Sequence, residues 1–290
     1  MDMEHQKIID FWTQQKIATA AELDTALDAY CIDFAYHSGK IENCNITYYD
    51  TREIFTRDGV TSYTGDLRTL YEIRNEKDAY TIMLSAFEQR RPLNETLIKE
   101  FQKALTKNTY DTHRYQQGER PGEYKQHDYI VGPDDVGAPV EDVAEEMAEL
   151  LDDLQSVPDE NALIAAAYFH AKFENIHPFS DGNGRTGRLA MNYFLLLHNH
   201  PPIIIHEEDR KEYYDTLNSW DKQQDLQPLI NYLMSQLEKT WQRSIAPPSR
   251  AAARQTTLQD ITGSAAVKAA ERNEAASEGQ SKDHDRDRNR

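Results

Sequence analysis

The stretch "HPFSDGNGRTGR", His177–Arg188, sets a histidine, an acid, two glycines around an asparagine and two arginines within twelve residues. It lies between two helical signals, "DENALIAAAYFHAKFENI" and "TGRLAMNYFLLLHN", so Gly182-Asn183-Gly184 falls just ahead of a helix N-terminus. Such an end gathers backbone N–H groups that the helix cannot satisfy and the positive pole of its dipole, which together favour an anion. The glycines permit positive φ and let the backbone approach a ligand. Arg185 and Arg188 share a face of the first turn, where cations oppose the dipole at about 0.3–1 kcal/mol each. Two are expected there when an anion larger than a carboxylate rests between them, and guanidinium forks with backbone amides suit a polyphosphate. Asp181 offers a hard oxygen for Mg2+ bridging phosphate oxygens. His177, restricted by Pro178, suits a general base that takes a proton from a hydroxyl. Phe179 is expected to anchor the loop in the core. Singly, each feature has a plainer reading: a loop histidine is usually structural, and arginines in an acidic protein pair with acids. Together they describe nucleotide transfer onto a hydroxyl.

Outward from this loop, most of residues 1–245 carries apolar side chains at three- and four-residue spacings, which predicts an all-α fold. Runs such as "KIIDFWTQQ", "AAELDTALDAYCIDFAYHSG", "LRTLYEIRNEKDAYTIMLSAFEQR" and "NETLIKEFQKALTK" read as helices, the last with Asn94 as its N-cap. "GERPGEYKQHDYIVGPDDVGAP" (Gly118–Pro139) breaks the pattern with Gly, Pro and Asp around a short β-prone run, and is expected to form a hairpin or flap. From Ala246 the chain has almost no large apolar residues and ends in mixed charge, which predicts a disordered tail over 246–290. The organisation expected is a helical region 1–115, a core 116–245 holding the loop and flap, and that tail.

The 290 residues hold 32 Lys and Arg against 50 Asp and Glu, a net charge of −18. Nucleic acid and anionic membranes are therefore poor partners, and any bound anion needs a local cationic cluster. Cys31 and Cys44, the only cysteines, form neither a disulfide framework nor a zinc motif. "MDMEHQKIIDFW" lacks a basic region followed by an apolar run, and no apolar stretch approaches the roughly 20 residues of a membrane span. These features read as a cytoplasmic protein.

"HPFSDGNGRTGR" resembles, throughout, the signature of the Fic domain family, His-x-Phe-x-Asp/Glu-Gly-Asn-Gly-Arg-x-x-Arg, and the resemblance extends over roughly Ala20–Leu237. It implies a Fic-type helical bundle with a short β-hairpin flap near the active site. It also implies a protein adenylyltransferase that moves AMP from ATP, with Mg2+, to a Ser, Thr or Tyr hydroxyl of a target protein and of itself. Position by position, His177 becomes the base and Asp181 the metal ligand. Gly182, Asn183, Gly184, Arg185, Thr186, Gly187 and Arg188 become the nucleotide-binding segment, with Tyr213 and Tyr214 enclosing the nucleoside. In the flap, Tyr129, Ile130 and Val131 would pair with the target's backbone, as an added strand does. Asp221 stands where many relatives have Asn. A monomer and a homodimer both remain open.

Upstream, Ser38, Glu42 and Asn43 in "SGKIENCNIT" resemble the family's inhibitory motif, Ser/Thr-x-x-x-Glu-Gly/Asn. The resemblance implies that Glu42 competes with the γ-phosphate for Arg188. Other readings are transfer of a different phosphate-containing group, reversal of the modification, or a non-catalytic nucleotide-binding module. Glycine at 184, where the family's kinases carry lysine, favours AMP transfer.

Overall fold

Short polar side chains set where many of the helices begin. Thr19 forms a capping box with Glu22, accepting its amide at 3.2 Å while the Glu22 carboxylate accepts the Thr19 amide at 3.0 Å. Asp66 accepts from the Thr69 amide at 2.8 Å, and Asn94 from the Leu97 amide at 3.0 Å, as the sequence predicts. Each cap satisfies an amide that the helix leaves without an acceptor, worth about 1 kcal/mol. The computed structural model describes residues 3–129 and 137–245.

In chain order the helices are α1 (Met3–Gln14), α2 (Ala20–Ala26), α3 (Asp28–Glu42), α4 (Tyr48–Arg57), α5 (Leu67–Glu88) and α6 (Glu95–Leu105). They continue with α7 (Thr112–Gln116), α8 (Val143–Asp153), α9 (Ala162–Ile176), α10 (Asn183–Leu197), α11 (Arg210–Gln223) and α12 (Gln227–Ile245). The periodic run from Ala20 divides at Leu27, whose φ of −102° and ψ of 10° interrupt the helix while its side chain stays buried. Helix α4, which the periodicity does not announce, is started by Thr47 capping the Asp50 amide.

No strand occurs among the described residues. Residues 118–129 of the expected flap are turns and irregular backbone, and its centre, with Ile130 and Val131, lies outside the described residues. The segment 246–290, expected to be disordered, also lies outside them.

Helix α10 is buried along nearly its whole length, from Arg185 to Leu196, between α9, α6, α3 and α5. Its C-terminal half, from Leu189 to Leu196, is apolar on nearly every side, as suits a helix at the centre of a bundle. The core it organises joins both ends of the described chain: Leu23, Phe34, Phe87 and Phe101 share one cluster with Phe169, Leu195 and Trp241. Tyr30 of α3 stacks on Trp241 of α12, ring centroids 6.0 Å apart, and donates its hydroxyl to the Ile203 carbonyl at 3.2 Å. Thus α3 is held along the first turn of α10, where the candidate site lies.

Candidate active site

Helix α9 ends at His177, which caps it in the left-handed region at φ +50°. A non-glycine residue rarely adopts that backbone, and flanking bonds hold it there. The Ala138 amide donates to the Ile176 carbonyl at 3.0 Å, and the Lys125 amide to the Pro178 carbonyl at 2.9 Å. The two stems of the flap segment therefore grip the chain on either side of His177. Phe179 follows, fully buried as expected. Asn183 closes the loop: its amide donates to the Phe179 carbonyl at 2.7 Å, and its side-chain oxygen accepts the Phe179 amide at 2.9 Å. The Asn183 side chain is committed to the loop, so what this residue can offer a ligand is its backbone amide.

Gly182, at φ +80°, starts α10 without a side-chain cap, and the first intrahelical bond runs from Thr186 to its carbonyl. The amides of the first turn therefore point out of the helix end, as an anion site requires. Gly184 lies directly under the Glu42 carboxylate, and a Cβ there would run into Glu42 Oε1 and approach Arg188 Nη1 to 2.9 Å. Glycine is what lets a carboxylate rest on this turn. Gly187 faces the other way, where a Cβ would meet Phe173 at 3.0 Å and His170 at 3.2 Å, so it serves the close approach of α9. Thr186 is likewise buried.

Arg188, only 2% exposed, donates to Glu42 Oε1 at 2.8 Å and to the Ser38 carbonyl at 2.9 Å from Nη2, and to Ser38 Oγ at 3.2 Å from Nε. All its partners lie in the last turns of α3. Burial opposes the charge of Arg188, but the Glu42 carboxylate together with Tyr213 and Glu174 outweighs it, so the guanidinium pKa lies above its ordinary value. Two other acids face this cation. Burial pushes Glu76 up to about 7 and Glu174 up to about 8. Burial thus disfavours the charged form of both, and Glu42 is the acid that pairs directly with Arg188. Asn43 turns away, donating to Thr69 Oγ1 at 2.9 Å and to Glu72 Oε2 at 2.7 Å on α5.

Asp181 is surrounded by cations. Its Oδ2 accepts from Arg68 at 2.9 Å and lies 3.9 Å from Arg114, while its Oδ1 is 3.4 Å from Arg185 Nη2. Buried Gln102 holds its backbone, donating to the Asp181 carbonyl at 2.9 Å. Among the described residues no group of three or more His, Cys, Asp or Glu could hold a metal. Asp181 nevertheless fits one role toward Mg2+: its side chain is 16% exposed, and the long contact on Oδ1 leaves lone pairs for a single inner ligand. Mg2+ commonly takes one or two carboxylates and completes its shell with phosphates and water.

The two expected nucleoside residues part company. Tyr213 is buried, stacked on His170 with centroids 5.8 Å apart and hydrogen-bonded to its Nε2 at 2.7 Å. Burial pushes His170 down to about 3, so this pair is neutral core. Tyr214 is 42% exposed, and burial with the nearby Glu42 carboxylate pushes its hydroxyl up to about 12. Asp221 accepts from Asn175 Nδ2 at 2.9 Å, tying α11 to the end of α9. In the flap stem the Tyr129 hydroxyl donates to buried Glu119 at 2.8 Å.

Arg68, Arg114, Gln102 and Glu119 were not singled out by sequence. Each lies more than fifty positions from the loop, and only an Arg–Glu spacing of four at Arg68–Glu72 marked any of them, which reads as an ordinary helix surface pair.

The Fic/DOC family profile matches residues 92–195. The chain is 32% identical over 211 residues to a protein adenylyltransferase Fic of Nematostella vectensis, covering 71% of this chain and 46% of the relative. It is 28% identical over 257 residues to a protein of the same name from Aedes aegypti, covering 82% and 48%. The chain thus spans about half the length of these curated relatives. Its backbone is similar to a Fic domain-containing signaling protein of Bacteroides thetaiotaomicron, with TM-score 0.71, 25% identity, and coverage of 83% of this chain and 95% of that one. It is also similar to Fic-1 of C. elegans, with TM-score 0.67 at 24% identity, covering 83% and 71%, a likeness of fold.

Proposed function

The chain belongs to the Fic/DOC family, and from that membership and the loop geometry we propose that it is a protein adenylyltransferase held in a resting state by Glu42. ATP places its triphosphate over the first turn of α10, where the amides of Gly184 and Arg185 and the guanidiniums of Arg185 and Arg188 accept its charge. His177 takes the proton from a Ser, Thr or Tyr hydroxyl of the target as its oxygen attacks the α-phosphorus. The new P–O bond forms while the bond to the β-phosphate breaks, and pyrophosphate leaves. Asp181 would hold Mg2+, which supplies charge neutralisation at the phosphates. The flap stems hold His177 in its strained backbone, and the flap presents the acceptor segment.

The observation that carries this reading is the Glu42–Arg188 contact at 2.8 Å with the carboxylate lying on Gly184. The carboxylate that rests on Gly184 uses the same guanidinium a phosphate would use. Incubation with α-labelled ATP tests it: the Glu42→Gly protein labels itself strongly and the wild type barely does. Equal labelling of the two removes the proposed brake, and no labelling of either removes the activity.

A further inference from the structure

Asp181 is gripped by Arg68, a side chain to which the proposed transfer gives no role. Arg68 Nη2 donates to Asp181 Oδ2 at 2.9 Å across 113 positions of chain, and its Nε donates to Glu72 Oε1 at 2.9 Å. Glu72 is fixed in turn, with its side chain 7% exposed and its other oxygen accepting from Asn43 at 2.7 Å. Asn43 immediately follows Glu42 and ends α3. One hydrogen-bonded series therefore runs from the end of α3 through Glu72 and Arg68 to the loop carboxylate. Glu72 at its middle is buried and Asp181 only 16% exposed at its side chain, whereas the Arg68 side chain is 47% exposed and has room to leave.

A guanidinium and a divalent cation compete for the same oxygen and repel one another. Arg185 and Arg114 stand farther off, at 3.4 and 3.9 Å, so Arg68 is the close competitor. Resting on the reading of Asp181 as the metal ligand, we propose that Arg68 is a positioning residue. It holds Asp181 in place and, by competing for Oδ2, lowers the affinity of the site for the divalent cation that accompanies a triphosphate. The Asn43–Glu72 contact keeps Arg68 in register, which ties the cation site to the same turn of α3 that carries Glu42.

The test uses the full chain carrying Glu42→Gly and a non-hydrolysable ATP analogue, titrated calorimetrically in saturating Mg2+ and again in EDTA. The ratio of the two affinities measures how much the cation contributes, independently of turnover. Replacing Arg68 by neutral Gln raises that ratio on the order of tenfold, the size expected for removing one charge near a dication in water-like surroundings. Arg68→Lys, which keeps the charge and loses the fork, stays within about twofold of the parent. A merely structural arginine would change melting temperature in both variants and leave the ratio alone. An unchanged or lowered ratio in Arg68→Gln, while Asp181→Asn brings the ratio close to one, overturns the role of Arg68. If Asp181→Asn leaves the ratio intact, or the parent binds no analogue, it is the underlying reading of the site that fails.

Discussion

Nη2 of Arg188 and Oε1 of Glu42 lie 2.8 Å apart, although 146 positions separate them in the chain. Two further bonds from Arg188 end on Ser38, one of them on its backbone carbonyl, and neither depends on the carboxylate. Loss of Glu42 alone therefore frees one donor of the guanidinium while leaving it aimed at the helix end. A phosphate and a carboxylate then become alternatives at one place.

Glu42→Gly is expected to raise self-labelling by α-labelled ATP on the order of a hundredfold, because a misregistered triphosphate of about 1 Å costs that much. The same change strands a buried cation, so stability without nucleotide falls by about 1–3 kcal/mol, less than for a fully buried pair because Glu42 is partly exposed. Urea melts with and without ATP check it: nucleotide at a hundred times its Kd restores about 2.7 kcal/mol. A variant that melts and labels like the wild type would show that the contact has no energetic weight.

Adding His177→Ala to that background should lower labelling by roughly 100- to 10,000-fold, the usual worth of a general base. Nucleotide affinity should hold within a few-fold, since His177 stands outside the first turn of α10. Labelling that persists, or affinity lost in parallel, would take the base role from His177.

Asn183→Ala leaves both the amide and the carbonyl of buried Phe179 without partners, and should cost about 2–4 kcal/mol in a urea melt. Asn183→Asp keeps the acceptor and loses the donor, so its loss should be intermediate. Equal stability of all three proteins would mean that the loop is held elsewhere.

Glu174 has a folded pKa of about 8 against 4.5 when unfolded. The folded state therefore keeps a proton that the unfolded state releases, and the contribution of this group to stability falls as pH rises from about 4.5 to about 8. Glu174→Gln, which resembles the protonated form, removes that slope. Its melting temperature should gain on the wild type steadily between pH 5 and pH 8. A difference independent of pH would mean that Glu174 titrates normally.

The helical fold and the loop could be read directly because both are local. Apolar spacing reports which face a helix buries, and Gly182-Asn183-Gly184 followed by Arg185 and Arg188 marks a glycine-bracketed helix start with two cations in its first turn. The breaks were harder. Leu27 interrupts a periodic run through its backbone alone, and α4 begins at a Thr47 cap within a stretch of weak periodicity. Tyr213 and Tyr214, adjacent in sequence, differ because successive helical positions point about 100° apart, one ring into the core against His170 and one toward Glu42.

By itself, the sequence determined that residues 177–188 carry an acid, a histidine and paired cations at the head of a helix, because those residues are neighbours along the chain. Whether Glu42 meets Arg188, which three arginines surround Asp181, and how Lys125 and Ala138 brace His177 were decided only in three dimensions. Those contacts join α3, α5 and the flap stems to one turn of α10, and no spacing along a chain records which helix faces pack together.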